Sequence, residues 1–341
     1  DILGHLDVVP AGEGWTVTDP FTLLEKDGIV YGRGVSDDKG PILCALYAMR
    51  AIKELGYELK KGVRLILGTN EETGSADLAY YYKKEKAGEM SFTPDAEFPI
   101  INIEKGALKG TLRKARKAEG ILRSLTAGVA VNAVPQKAVL EFTKLSEEDF
   151  QKAKDIVEKE CGVQIQKEGN TVTVIGMSAH ASTPHLGKNA GLAALRFAVL
   201  LPEVSAEDKK YLESILTLFP YGVTDGSGIG IKMQDEESGD LTCTLDIFSL
   251  DEKEMYFIFD SRVPICGNKE NCEDVARKFS EEKGFCFETK GMIPPHHVPK
   301  DSDFIKALLS CYEKVTGEKG ECIAIGGGTY VHEVENGVAF G

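Results

Sequence analysis

Residues 40–70, GPILCALYAMRAIKELGYELKKGVRLILGTN, contain the two segments that decide the fold. The first segment repeats apolar side chains at helical spacing and reaches a helix stop at Gly56. The second, VRLILGTN, is a short apolar run that ends in turn residues, which is typical of a buried strand. Residues 1–9, DILGHLDVV, form another such run. Strands separated by a helix of this length predict an α/β domain with a mostly parallel sheet.

The pattern changes after Gly106, where alternating strands and amphipathic helices predict an antiparallel sheet with helices on one face. VQIQKEGNTVTVIG reads as a hairpin around a Gly-Asn turn, and Ser146 is a candidate helix cap. The other elements predicted in this region are strands at 137–143, 241–248, 254–260 and 284–290 and a helix at 271–283.

After Pro294-Pro295 the sequence predicts a helix at 302–316 and a strand, ECIAI, that runs into a glycine turn. This is the character of the first region again. We therefore expect a discontinuous α/β domain, residues 1–106 and 296–341, interrupted by an inserted α+β domain at 107–295.

Composition excludes several classes of function. The chain has 341 residues and a net charge of −14, from 40 basic and 54 acidic side chains, so it lacks the basic footprint of a nucleic-acid or anionic-membrane partner. No apolar run approaches the ~18 residues of a membrane span. None of the 8 cysteines forms a CxxC pair, which predicts reduced thiols and a cytoplasmic protein.

Acidic residues follow the predicted strands of the first domain, and one histidine lies on the first of these strands. Because the carboxyl ends of parallel strands share one edge of a sheet, these side chains can converge there. So many carboxylates around one imidazole would repel one another unless divalent cations neutralised them. The residues concerned are His5, Asp37, Glu71, Glu72 and Asp95.

Each feature also has an ordinary structural explanation. A His-x-Asp pair on a strand, here His5 and Asp7, is commonly a satisfied hydrogen-bonded pair, and acidic doublets are commonly solvated loops. Their joint placement after successive strands favours a metal site.

Four motifs, GHLDVVP, YGRGVSDDKGP, GTNEETG and PDAEFPIINIEKG, occur in order in the first 106 residues. With them the chain resembles the zinc-dependent aminoacylase/carboxypeptidase G/succinyl-diaminopimelate desuccinylase family of metallopeptidases, and most of all its dipeptidase V type. GMSAHASTPHLGKNA, DSRVP and GGGTY extend the resemblance to the whole chain. The family's architecture implies that the α/β domain is catalytic and that the inserted domain is a lid.

The resemblance implies two Zn²⁺ ions in one active site, with Co²⁺ or Mn²⁺ as alternatives. Asp37 would bridge the two ions, His5 and Asp95 would complete one site, and Glu72 would bind the other ion. Asp7 would orient His5.

Glu71 would be the general base that deprotonates a metal-activated water in dipeptide hydrolysis. Aspartate at position 95, where relatives acting on acylated substrates tend to carry glutamate, favours dipeptides. A deacylase or desuccinylase on the same scaffold is the alternative. A non-catalytic peptide-binding relative is a third possibility, against which Glu71 and Glu72 argue.

The resemblance also implies substrate contacts. His180 in the lid would bind the oxyanion, although a capped loop histidine is the alternative. Arg262 would pair with the substrate carboxylate, with a structural salt bridge as the alternative. The backbone of Gly327, Gly328 and Thr329 would approach the substrate, unless it is a turn without a ligand.

The chain departs from the family pattern at three points, of which one is that the strand preceding GHLD is shorter than the family's. His332 stands where the family usually has an arginine, and either makes a polar contact in its place or lies at the surface. The family's last metal ligand is a histidine C-terminal to GVAFG, so we expect a further segment beyond Gly341 that carries it. Because the dipeptidase V type has an enlarged lid, the resemblance favours a monomer over a dimer.

Overall fold

The structure is a computed structural model that describes residues 1–341. The chain forms two compact units: unit 1 comprises Asp1–Glu104 and His296–Gly341, and unit 2 comprises Lys105–Pro295. Each unit has hydrophobic clusters of its own.

The first segment of unit 1 carries six strands and two α-helices. The strands are β1 Ile2–His5, β2 Leu24–Lys26, β3 Ile29–Tyr31, β4 Leu65–Gly68, β5 Ser91–Thr93 and β6 Ile100–Glu104, and the helices are α1 Gly40–Glu54 and α2 Ala76–Tyr81. The helix predicted over 40–56 and the strands predicted around Leu3 and Ile66 are therefore confirmed.

Unit 2 carries ten strands and four α-helices. The strands are β7 Gly106–Ala115, β8 Leu122–Ala127, β9 Lys137–Phe142, β10 Gln164–Glu168, β11 Thr171–Ile175, β12 Gln234–Asp235, β13 Gly239–Asp240, β14 Thr242–Leu250, β15 Glu254–Val263 and β16 Cys286–Glu288. The helices are α3 Glu147–Cys161, α4 Ala190–Leu200, α5 Ala206–Leu218 and α6 Asp274–Glu282.

The second segment of unit 1 adds β17 His296–His297, α7 Asp303–Thr316, β18 Cys322–Ile325 and β19 Gly337–Ala339. Its strands complete a seven-stranded sheet in the order β17-β6-β19-β5-β1-β4, with β18 also paired to β6. Strand β1 runs parallel to both β4 and β5, so the carboxyl ends of these three strands lie at one edge.

Close packing at that edge explains Gly4 in β1. A Cβ atom there would lie 2.7 Å from Asp38 Oδ2 and would overlap the side chain of Ile42. The glycine therefore lets α1 and the acidic turn before it approach β1 directly.

The main sheet of unit 2 has eight strands in the order β10-β11-β9-β8-β14-β15-β7-β16, and every pairing in it is antiparallel. The predicted hairpin is β10–β11, and Ser146 caps α3 by accepting a hydrogen bond from the Asp149 N–H. The fold class is therefore confirmed: a mostly parallel α/β unit with an inserted α+β unit.

Two predicted elements need correction. The strand expected at 284–290 is only Cys286–Glu288, and the helix expected at 271–283 starts with a π-helical turn, Lys269–Glu273, before α6. No helix is sufficiently long and apolar to cross a membrane, and all eight cysteines are free thiols.

Candidate active site

His5 ends β1 and is fully buried. Its Nδ1 atom lies 3.0 Å from the backbone oxygen of Asp7. Because a carbonyl can only accept, Nδ1 carries the proton in this contact. The other ring nitrogen, Nε2, lies 2.8 Å from Asp37 Oδ1 and 3.5 Å from Asp95 Oδ2. The ring is therefore oriented with Nε2 toward two carboxylates.

Asp37 and Asp38 lie in the short helical turn Val35–Lys39 that precedes α1, and the peptide bond between them is cis. Their side chains have opposite environments. The Asp37 side chain is 57% exposed, whereas Asp38 is fully buried and accepts a 3.1 Å hydrogen bond from the backbone N–H of His5. The turn thus presents one carboxylate outward and anchors the other beneath His5.

Glu71 and Glu72 begin the 3₁₀ turn that follows β4. Their backbone N–H groups donate to the two carboxylate oxygens of Asp7, at 3.3 and 3.2 Å. Glu72 Oε1 accepts from the Val9 N–H at 3.1 Å. Asp7 therefore contacts His5 chiefly through its backbone oxygen, and its carboxylate holds the Glu71–Glu72 turn in place.

Two groups of possible metal ligands result, and both include His5. In the first, the ligand atoms of His5, Asp37 and Glu72 all lie within 4.8 Å of one another; in the second, those of His5, Asp38 and Asp95 do. Asp38 was not among the predicted ligands. The acidic doublet was the only sequence signal for it, and a doublet does not reveal which member faces inward.

The clustered charge perturbs the acid–base behaviour of these groups. Burial lowers the pKa of His5, but the neighbouring carboxylates of Asp95, Glu71 and Asp37 outweigh it and raise that pKa to about 10. Burial, together with the charge of Asp95, raises the pKa of Glu71 to about 8 and that of Asp38 to about 7. The site therefore has an excess of negative charge that favours a cation.

A divalent metal fits these residues. His5 Nε2 and Asp38 Oδ1 are buried and make no hydrogen bond of acceptable geometry. With no metal bound, the raised pKa of His5 keeps a second proton on Nε2, which faces the oxygens of Asp37 and Asp95. A divalent cation would take the place of that proton between the ring and the two carboxylates. Imidazole nitrogen and carboxylate oxygen are ligands that Zn²⁺ and similar divalent ions take.

The glycine turn of unit 1 is fixed by a buried carboxylate. Glu104 Oε1 accepts hydrogen bonds from the Thr329 N–H at 3.1 Å and from its hydroxyl at 2.7 Å. Glu104 Oε2 lies 3.0 Å from Nδ1 of His332. His332 is thus a partly buried polar contact rather than a surface side chain. Gly327 and Gly328 lie in the same turn, so Glu104 holds the loop for which the resemblance implies a substrate contact.

The ring of Tyr330 connects this turn with His5. The two rings meet edge to face with centroids 6.3 Å apart, and the Tyr330 hydroxyl donates to Asp77 Oδ2 at 2.8 Å. The resemblance gave Tyr330 no role, and the tyrosine of GGGTY carries no sequence signal for this contact.

His180 and Arg262 both belong to unit 2. Arg262 donates to fully buried Asp260 from Nε at 2.7 Å and from a terminal nitrogen at 3.2 Å. Its strand partner Thr242 donates through Oγ1 to the backbone oxygen of Ala181, at 3.0 Å. His180 and Arg262 are therefore connected within unit 2, because Thr242 pairs with Arg262 and bonds to the residue that follows His180.

A buried histidine among carboxylates, at the carboxyl edge of a mostly parallel sheet, defines a candidate metal-dependent hydrolase. Residues 2–341 match Peptidase family M20/M25/M40. The chain belongs to this family.

Two curated relatives that the chain resembles along its whole length are named as dipeptidases. The chain is 37% identical over 355 residues to the beta-Ala-Xaa dipeptidase of Lactobacillus delbrueckii subsp. lactis, covering 100% of this chain and 73% of that protein. It is 35% identical over 356 residues to the putative dipeptidase YtjP of Bacillus subtilis (strain 168), covering 100% and 75%.

Solved structures share the fold. Human carnosine dipeptidase 1 matches with a TM-score of 0.55 at 16% identity, covering 99% of this chain and 71% of that one. Aminoacylhistidine dipeptidase from Vibrio alginolyticus matches with a TM-score of 0.55 at 17% identity, covering 100% and 77%.

Proposed function

We propose that this protein is a metal-dependent dipeptidase whose metals are bound by His5, Asp37, Glu72 and Asp95, with Asp38 as a further acidic group beneath them. The proposal rests on the two groups of possible metal ligands that include His5. Within each group, the ligand atoms lie within 4.8 Å of one another. Zinc is the proposed metal because it takes imidazole and carboxylate ligands. The number of two ions per chain rests on the family resemblance, with His5 as a ligand of one of them. Co²⁺ and Mn²⁺ accept similar ligands.

When bound, the metals activate a water molecule and polarise the scissile carbonyl. The chain supplies the proton transfers. Glu71 accepts a proton from the attacking water and delivers it to the leaving amine. Without a cation, burial and the charge of Asp95 raise the pKa of Glu71 to about 8. Bound cations would lower this pKa and leave the carboxylate free to accept the proton.

Asp7 positions the residues proposed for metal binding and proton transfer. Through its backbone oxygen it orients His5, and through its carboxylate it holds the N–H groups of Glu71 and Glu72. The proton carrier and a proposed metal ligand are therefore adjacent on one turn that is tied to the strand bearing the histidine.

The proposed substrate is a dipeptide with a free amine and a free carboxylate. The dipeptidase names of two curated relatives support it. In unit 2, Arg262 would bind the substrate carboxylate and His180 the developing oxyanion. The turn at Gly327, Gly328 and Thr329, held by Glu104, would contact the substrate through its backbone.

The test is a panel of free dipeptides, including β-alanyl dipeptides, assayed beside the matching N-acetyl and N-succinyl amino acids. The metal-loaded protein should hydrolyse free dipeptides and leave the acylated amino acids largely intact. Preference for the acylated compounds would replace this function with deacylation. Peptide binding without turnover would instead make the protein a non-catalytic relative.

A further inference from the structure

His180 makes two contacts through a single ring nitrogen. The backbone N–H of Ser182 donates to His180 Nδ1 at 3.2 Å, and the Ser182 hydroxyl lies 2.7 Å from the same atom. A backbone N–H can only donate, so Nδ1 must accept and carries no proton. In the neutral ring the proton is therefore on Nε2.

The turn at residues 180–183, which sets the position of Ser182, is held by hydrogen bonds within it and by hydrogen bonds to neighbouring segments. Within it, the Thr183 N–H donates to the His180 oxygen at 2.9 Å. Fully buried Ala181 donates its N–H to the Asn132 oxygen at 2.9 Å and accepts from the Thr242 hydroxyl at 3.0 Å. Ser182 is therefore fixed beside the ring by the backbone.

The surrounding charges favour a neutral ring. Partial burial lowers the pKa of His180, and the guanidinium of Arg262 lowers it further against the opposing charge of Asp260. Asp260 is itself paired with Arg262 at 2.7 Å, and Lys109 Nζ lies 4.0 Å from its carboxylate. The Asp260 carboxylate is thus already paired, so it does little to stabilise an imidazolium.

We infer that Ser182 is a positioning residue that fixes His180 as the neutral tautomer with its proton on Nε2, a hydrogen-bond donor. This rests on the proposed function only in that the donor would serve the oxyanion of a scissile peptide bond. A neutral imidazole holds its proton far more tightly than an imidazolium, so it stabilises a negative oxygen without transferring the proton to it. With Nδ1 occupied and Nε2 protonated, His180 is not a general base.

The direct test is nitrogen NMR of the full chain with ¹⁵N-labelled histidine at pH ~7.5, with His180 assigned from its loss in His180→Gln. We expect the Nε2 signal at the position of a protonated nitrogen and Nδ1 at that of an unprotonated one. A ring with its proton on Nδ1, or with both nitrogens protonated, would overturn the inference.

Kinetics of Ser182 variants test the positioning role itself. Ser182→Ala keeps the backbone donor and loses the hydroxyl, so kcat for a dipeptide should fall about 2- to 10-fold with KM unchanged, as for one hydrogen bond. The fraction of rings protonated on Nδ1 should rise in the same variant. Ser182→Thr should restore both values, and Ser178→Ala, an exposed serine of the same loop, should change neither.

Unchanged kcat and unchanged tautomer in Ser182→Ala would overturn the assignment to Ser182. The proposed function fails in a different way. If the predicted tautomer is found but His180→Ala, which has no donor, retains full dipeptidase activity, the oxyanion role of His180 is wrong and the positioning by Ser182 stands.

Discussion

The polar clusters around His5 in unit 1 and around Arg262 in unit 2 differ in how the charge of their buried carboxylates is balanced. In unit 1, the carboxylates of Asp37, Asp38 and Asp95 surround His5 with no Lys or Arg among the ion pairs of that cluster. In unit 2, buried Asp260 is matched by Arg262, and His180 by Ser182. We therefore expect the unit 1 cluster to depend on a cation from solution, whereas in unit 2 the charge of Asp260 is balanced by a side chain of the same unit.

The two units also differ in the size of their hydrophobic cores. The buried apolar residues of unit 2 form one large cluster that involves its main sheet and α3 to α5, whereas unit 1 has two smaller clusters around Leu3 and Ile100. We expect the larger core of unit 2 to hold its functional groups in place without a ligand. We expect metal binding to contribute more to the order of the unit 1 site.

Glu71→Gln should have the largest effect, because it keeps the shape of the side chain and removes the proton carrier of unit 1. We expect kcat to fall about 10²- to 10⁴-fold. Metal content, measured by elemental mass spectrometry, should be unchanged, since Glu71 is not a ligand in this account. Glu58→Gln, an exposed glutamate of the same unit, is the control and should have near-normal turnover. Near-normal turnover in Glu71→Gln would remove the general base from the mechanism.

His180→Ala should have the next largest effect, and it tests whether unit 2 contributes to chemistry. Loss of an oxyanion donor lowers kcat by roughly 10²- to 10³-fold. Steady-state kinetics on a good dipeptide should show this loss mainly in kcat. A change confined to KM would instead make His180 a binding residue.

Arg262→Ala should raise KM for dipeptides about 10- to 100-fold, the range expected for loss of a charge-assisted hydrogen bond. Dipeptide amides lack the carboxylate and should be much less affected. Because Asp260 would lose its partner, thermal unfolding of the variant must be measured alongside. Equal losses on dipeptides and dipeptide amides would contradict the carboxylate role.

The last effect concerns the pH dependence of protein stability, and it arises from Asp246 in unit 2, which is not a proposed metal ligand. Burial, together with the charge of Asp260, raises the pKa of Asp246 to about 9. The folded protein thus keeps a proton that the unfolded chain releases near pH 4, so unfolding releases a proton between these values. Stability should fall as pH rises through this window, by up to roughly 1.4 kcal/mol per pH unit.

Asp246→Asn removes that titration while keeping a neutral side chain of similar shape. Urea unfolding should show similar stability of variant and wild type at pH 5 and a more stable variant at pH 8. Exposed Asp240→Asn is the control and should follow the wild type. Parallel pH profiles for Asp246→Asn and wild type would show that Asp246 is ionised in the folded protein.

The sequence predicted those parts of the fold that have a local signal. The stripe in α1, the Ser146 cap and the β10–β11 hairpin depend on neighbours along the chain. Helix α4 was not predicted because it is buried almost all round and shows no polar face. Strands β7 and β8 were also missed, since their pairing with β15 and β14 is long-range.

The candidate site divides in the same way. Residues that follow predicted strands, such as His5 and Glu72, could be proposed from their order alone. Asp38, Glu104 and Ser182 could not, because their roles depend on which side chain a turn directs inward and on contacts across the fold. These three support other site residues, and no periodicity marks such residues.

Metal dependence of dipeptide hydrolysis tests the central claim most directly. The protein would be stripped with a chelator, dialysed, and titrated with Zn²⁺ while bound metal and dipeptide turnover are followed together, with Asp37→Asn in parallel. We predict that turnover is lost on stripping and returns with the metal bound, and that the variant binds less metal and does not recover. Undiminished turnover by metal-free protein would contradict the account.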